Sequence, residues 1–207
     1  KAFERDFDSP KQFANARIVR YADDFVILAK YMGNRITSWI ENQLEGKLEL
    51  KINREKTKIV NLRQAGESLD FLGFTMRYDK DIFGRNQKYL NTYPSDKAIE
   101  RFKDKVRVIT RSGYKRTLTD IIGQINRLSK RWAQYFDYGY PRKQFRGLNW
   151  FIQGRVKGFL KHRSQRRSTP LKGGESLYAG LKRLGWEMII PATKATSAAS
   201  CNALQRG

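Results

Sequence analysis

The chain has 207 residues, 42 Lys or Arg against 20 Asp or Glu, and a formal net charge of +22. Such an excess favours a polyanionic partner, and the absence of an apolar run near the roughly 20 residues of a spanning helix turns that expectation from membrane to nucleic acid in the cytoplasm. A single cysteine (Cys201) excludes an intrachain disulfide framework, and with a single histidine (His162) there is no His/Cys zinc site, so any metal is held by oxygens, as Mg²⁺ is.

In chain order, Arg17–Ala22 and Phe25–Lys30 read as short strands rich in Ile, Val, Tyr and Phe, flanking Asp23-Asp24 at a hairpin turn. Gly33–Lys47 reads as a helix with Ile36, Trp39, Ile40 and Leu44 on one face. Leu48–Ile52 and Lys58–Leu62 alternate as strands do, with Asn53 starting a turn between them, and Leu69–Met76 reads as an apolar strand containing Gly73.

A helical zone follows from about Pro94 to His162. Ser95 is a suitable N-cap for a helix carrying Ile99, Phe102, Val106 and Ile109. Thr117 opens a second, striped by Ile121, Ile125, Leu128, Trp132 and Tyr135; after Gly139 and Pro141 a third carries Phe145, Leu148, Ile152, Val156 and Phe159. Three such stripes predict a small bundle. From Tyr138 to Gly174 there is no acidic residue; Leu177–Leu184 reads as a short last helix, and the tail from Pro191 as loose.

Neighbouring carboxylates repel, so Asp23-Asp24 between apolar strands needs an explanation. Asp is a turn former, and an ordinary turn is one reading. The other is chelation of divalent metal for phosphoryl transfer, where bound cations offset the repulsion. The tetrapeptide Tyr21-Ala22-Asp23-Asp24 arises by chance in roughly one chain in a thousand of this length.

"RYADDFVILAK" resembles the catalytic hairpin of reverse transcriptases, specifically the group II intron reverse transcriptase/maturases. The resemblance continues in order through "LKINREKTKIVNL" (50–62), "LDFLGFTM" (69–76), "YPSDKAIERFKDKVRVIT" (93–110) and "INRLSKRWAQYF" (125–136). It implies an α+β chain: a partial polymerase palm over 1–92, an antiparallel hairpin sheet with a helix, then an all-helical thumb bundle, or maturase domain, over 93–190; the small, polar composition of 191–207 reads separately as a flexible tail. The resemblance further implies RNA-directed DNA synthesis with Mg²⁺ on an RNA template and primer. Asp23 and Asp24 would be catalytic metal ligands, and Tyr21 and Ala22 would lie near the primer terminus. Lys56 would face the incoming triphosphate, or is a solvated strand-edge lysine. Phe71, Leu72 and Gly73 would form the primer grip, or the first two are simply core; a glycine in a strand suits a place where another backbone comes close.

The chain departs from this family in one respect. The palm needs a third aspartate on a strand well upstream, and only 22 residues precede Asp23. Asp6 and Asp8 lie in the polar segment "FERDFDSP", not on a recognisable strand. The chain therefore reads as the C-terminal part of such an enzyme, inactive alone and completed by fingers and upstream palm, fused or as a complementing N-terminal chain. The alternative is a non-catalytic RNA-binding module that helps group II intron RNA fold and splice; an inert remnant of a mobile element is a third. The basic segment with Lys161, Arg163, Arg166, Arg167 and Lys172 is either a solvated linker or the RNA-binding surface. The aromatics Phe145, Trp150, Phe151 and Phe159 either pack the helices or expose a ring for a base. His162 reads as solvated or RNA-facing.

Overall fold

The computed structural model describes residues 2–80, 88–111, 117–163 and 175–191. Among these the chain is α+β, with two small antiparallel sheets and seven α-helices. It divides by packing into two compact units, Lys1–Val60 and Asn61–Gly207.

The first unit opens with α1 (Ala2–Arg5) and α2 (Pro10–Ala14). Pro10 sits in the first turn of α2, where a missing N–H leaves no bond unmade. Asn15, at φ 45°, ends the helix in the left-handed conformation that asparagine tolerates. Strands β1 (Arg17–Tyr21) and β2 (Asp24–Leu28) then pair antiparallel, from Arg17 opposite Leu28 to Tyr21 opposite Asp24. Helix α3 (Asn34–Glu41) starts after Gly33 as expected but widens over Asn42–Lys47 into π-type turns, with Leu48 N–H donating to Gln43 O at 3.2 Å. The core of this unit includes Phe3, Ala16 and Ile36, with Phe3 edge-on to Trp39 at 5.8 Å.

The two strands expected at Leu48–Ile52 and Lys58–Leu62 do not form. Leu50 N–H donates back to Leu44 O (2.8 Å) and Ile52 N–H to the Glu45 carboxylate (3.3 Å), so these donors bond to the preceding turns rather than to a neighbouring strand. Alternation signals a strand only when one face has a core to bury, and Leu48, Leu50 and Ile59 are all more than half exposed. The turn at Asn53 is present: its carbonyl accepts from Lys56 and Thr57 N–H, and its side chain from Lys56 N–H.

In the second unit β3 (Leu69–Phe71), β4 (Phe74–Lys80) and β5 (Lys88–Pro94) form a sheet in that order. The single strand expected over Leu69–Met76 is instead a hairpin. Leu72 (φ 50°) and Gly73 (φ 81°) are its two turn residues, both left-handed as in a type I′ turn.

Helices α4 (Asp96–Arg111), α5 (Leu118–Phe136), α6 (Arg142–Arg163) and α7 (Leu177–Arg183) follow. Ser95 Oγ accepts from Ala98 N–H, and Thr117 and Asp120 form a reciprocal capping box at the start of α5. The expected stripes meet in one core: Phe102 and Val106 from α4, Ile121 and Ile125 from α5, and Phe145, Leu148, Ile152 and Val156 from α6. Trp132 joins them through ring contacts with Phe102 (5.1 Å), Phe136 (4.5 Å) and Phe145 (5.6 Å). Tyr135, expected in the stripe of α5, is instead exposed, with its hydroxyl donating to Leu72 O at 3.0 Å.

Two further ties complete this unit. Gly139, at φ 76°, brings the α5–α6 link against β5, where Tyr140 N–H donates to Thr92 O at 3.0 Å. Asn126 of α5 and the buried Asn149 of α6 each clasp the segment after α7 with a donor and an acceptor. Asn126 bonds Gly185 O (2.6 Å) and Glu187 N–H (3.1 Å); Asn149 bonds Ile189 O (2.8 Å) and Ile189 N–H (2.9 Å). Trp186 and Ile189 thereby reach the core.

Candidate nucleic-acid interface

The Tyr-Ala-Asp-Asp segment forms the tip of the β1–β2 hairpin. Ala22 and Asp23 are the turn residues, Ala22 at φ 50°, and the Arg20 guanidinium donates to Ala22 O at 2.8 Å, fastening the turn from the strand side. Tyr21, Ala22, Asp23 and Asp24 are all exposed, Tyr21 by 64%. The strands that carry them expose apolar side chains as well: Val19, Phe25 and Leu28 are each at least 40% accessible. Exposed carboxylates with room for water are hard oxygen donors of the kind Mg²⁺ takes, so the residues fit that ion in type. They are two, however. Among the described residues no three His, Cys, Asp or Glu side chains gather as a metal site. Asp8 instead pairs with Arg35, and Asp6 accepts from Gln43 at 3.5 Å and lies 4.0 Å from the Lys47 ammonium. Lys56 is exposed on the loop after Asn53.

Phe71, Leu72 and Gly73 stand together at the β3–β4 turn, half-buried. What comes close to Gly73 is a side chain rather than the backbone expected: a Cβ there would meet the Phe136 ring at 3.3 Å. The Gly73 carbonyl accepts from Ser95 N–H at 2.8 Å, which ties the turn to the start of α4.

The helices of the second unit carry their charge differently. On α4, Lys103 and Arg107 are paired with Glu100 and Asp104. The hydrogen bond and charge of Lys103 hold the Glu100 carboxyl below the usual carboxylate range. Helix α6 has seven Lys or Arg and no acid. Lys143, Arg146, Lys157 and Lys161 are exposed at spacings of three, eleven and four, one stripe along the helix. Of the basic residues expected to bind RNA, Lys161 lies on this stripe and Arg163 ends the helix; Arg166, Arg167 and Lys172 lie outside the described residues. Lys143, Arg146 and Lys157 were legible from helical spacing in an acid-free run but are overshadowed by the denser cations that follow. Of the four aromatics, Phe145 is in the core, Phe151 and Phe159 pack against it, and Trp150 is 70% exposed.

No helix of the described residues is long and apolar enough to cross a membrane. Residues 99–173 match the family described as the group II intron, maturase-specific domain, a stretch that takes in most of α4 and all of α5 and α6. A search of curated proteins found no match.

Proposed function

We propose that this chain, with its maturase-specific domain over residues 99–173, is the C-terminal portion of a group II intron maturase that binds intron RNA through its helical unit. The match carries this reading, and the acid-free cationic surface of α6 supports it physically. Cations that neutralise phosphates release counterions, so affinity falls steeply with salt.

The hairpin extends the proposal to reverse transcription, with 1–92 as part of a polymerase palm and the helices after it as the thumb. Exposed apolar side chains on a two-stranded sheet suit further strands from upstream palm, in the same polypeptide or a complementing chain. Asp23 and Asp24 would hold Mg²⁺, which when bound supplies activation of the primer hydroxyl and stabilisation of the charge at the transferring phosphoryl group. Tyr21 offers an exposed ring beside them for the primer terminus, and Lys56 an exposed ammonium for a triphosphate. Phe71, Leu72 and Gly73 would grip the primer. The second reading is an RNA-binding module without catalysis; among the described residues the hairpin brings together two carboxylates, Asp23 and Asp24.

Primer extension on an RNA template separates the two. The chain alone is expected to be inactive, and the chain supplied with fingers and upstream palm to gain Mg²⁺-dependent DNA synthesis that Asp23→Ala removes while RNA binding survives. Extension by an Asp23→Ala assembly equal to its parent would return Asp23-Asp24 to an ordinary turn.

A further inference from the structure

Trp150 stands in the middle of α6 with 70% of its surface exposed. The other tryptophans sit inward: Trp132 among core rings, Trp186 nearly fully buried, Trp39 against Phe3. Among the described residues no aromatic ring or cation packs on Trp150. Side chains three and four positions away are the ones that cover a helical residue. Here Gly147 and Gly154 occupy two of those positions, and a Cβ at either would meet nothing within 4 Å. Arg146 and Gln153 hold the other two, so the indole has one bare neighbouring position in each direction along the helix.

Its surroundings are cationic. At about 100° per residue, Lys143, Arg146, Trp150, Lys157 and Lys161 fall within roughly 60° of arc and span about 27 Å. One large aromatic among four cations, on a helix without an acid, is complementary to a polyanion that also presents flat apolar rings. An apolar protein surface would find one apolar anchor and four unpaired charges to desolvate. A nucleic-acid duplex would meet the cations but keep its bases stacked inside, away from the indole.

We propose that this face of α6 holds a single-stranded segment of RNA, with one base stacked on Trp150 and flanking phosphates on Lys143, Arg146, Lys157 and Lys161. The inference rests on the RNA-binding reading above and specifies which form of RNA this face takes.

The test uses the full chain with two probes at one fixed salt concentration: an oligoadenylate of roughly twelve nucleotides and a blunt RNA duplex of similar length. Trp150→Ala is expected to weaken single-strand binding about tenfold, Trp150→Phe to restore most of it, and duplex binding to change less than about twofold. The single strand should also quench tryptophan fluorescence in the parent but not in Trp150→Phe. Because the residue is exposed, both variants are expected to melt as the parent does. If Trp150→Ala binds the oligoadenylate as the parent does, the stacking proposal fails while the maturase reading stands. A parent that binds neither probe overturns both. Quenching of Trp150 on concentrating the protein without RNA assigns the face to a second copy of the chain and also overturns it.

Discussion

Replacing Gly139 with alanine should destabilise the second unit more than its small size suggests. A Cβ at this position would lie 2.0 Å from Thr92 O and 2.8 Å from the carbonyl carbon, well inside contact distance. That carbonyl cannot retreat freely, because it lies in β5 and accepts the Tyr140 N–H. Alanine at φ 76° also carries about 1–2 kcal/mol of left-handed strain. Forced displacement of packed structure costs about 1–3 kcal/mol, and loss of the Tyr140 hydrogen bond about 1 kcal/mol more. The expected total is about 3–6 kcal/mol, a large part of the roughly 5–15 kcal/mol that holds a domain folded. Gly154→Ala is the matched control: it lies within α6 with nothing within 4 Å of the added carbon, and should stabilise by about 1 kcal/mol. Urea denaturation followed by tryptophan fluorescence measures both. A Gly139→Ala midpoint at or above that of the parent would refute the close approach of the α5–α6 link to β5.

Asn149→Ala removes both partners of the Ile189 backbone and should cost about 2–4 kcal/mol, read as a lower urea midpoint; an unchanged midpoint would mean the clasp contributes nothing. Thr117→Ala deletes the cap of α5 and should cost about 1 kcal/mol, seen as a fall in melting temperature of roughly 2–4 °C.

The helical unit was largely legible in the sequence because its apolar residues recur at helical spacing and its starts are marked, as at Ser95 and Thr117. The β1–β2 hairpin was legible because Asp23-Asp24 interrupts two β-rich runs. The β3–β4 turn was hidden: Leu72 is an unusual residue for a positive φ, so the apolar run around it carries no turn signal but Gly73. The segment from Leu48 to Leu62 misled for the opposite reason, since its alternation exists without a core to bury it. The Asn126 and Asn149 clasps were invisible because their partners lie 59, 61 and 40 residues away, and an asparagine in a helix says nothing about a distant backbone. At the α6 surface, the spacing of the cations was readable, but the exposure of Trp150 was not, because an aromatic in a helix reads first as core.

The clasps at Asn126 and Asn149 are neutral, and the core they close is apolar. Ionic strength therefore acts on folding and on ligand holding in opposite directions. At about 1 M salt the screening length falls to about 3 Å, and attraction for a polyanion is largely lost. The same screening relieves the mutual repulsion of a chain carrying +22, while amide–backbone bonds and buried side chains are indifferent to it. The exposed ion pairs on α4 that salt does weaken are worth little in any case. Concentrated salt should thus strip nucleic acid from the purified protein and leave behind a helical unit that melts at a temperature no lower than before.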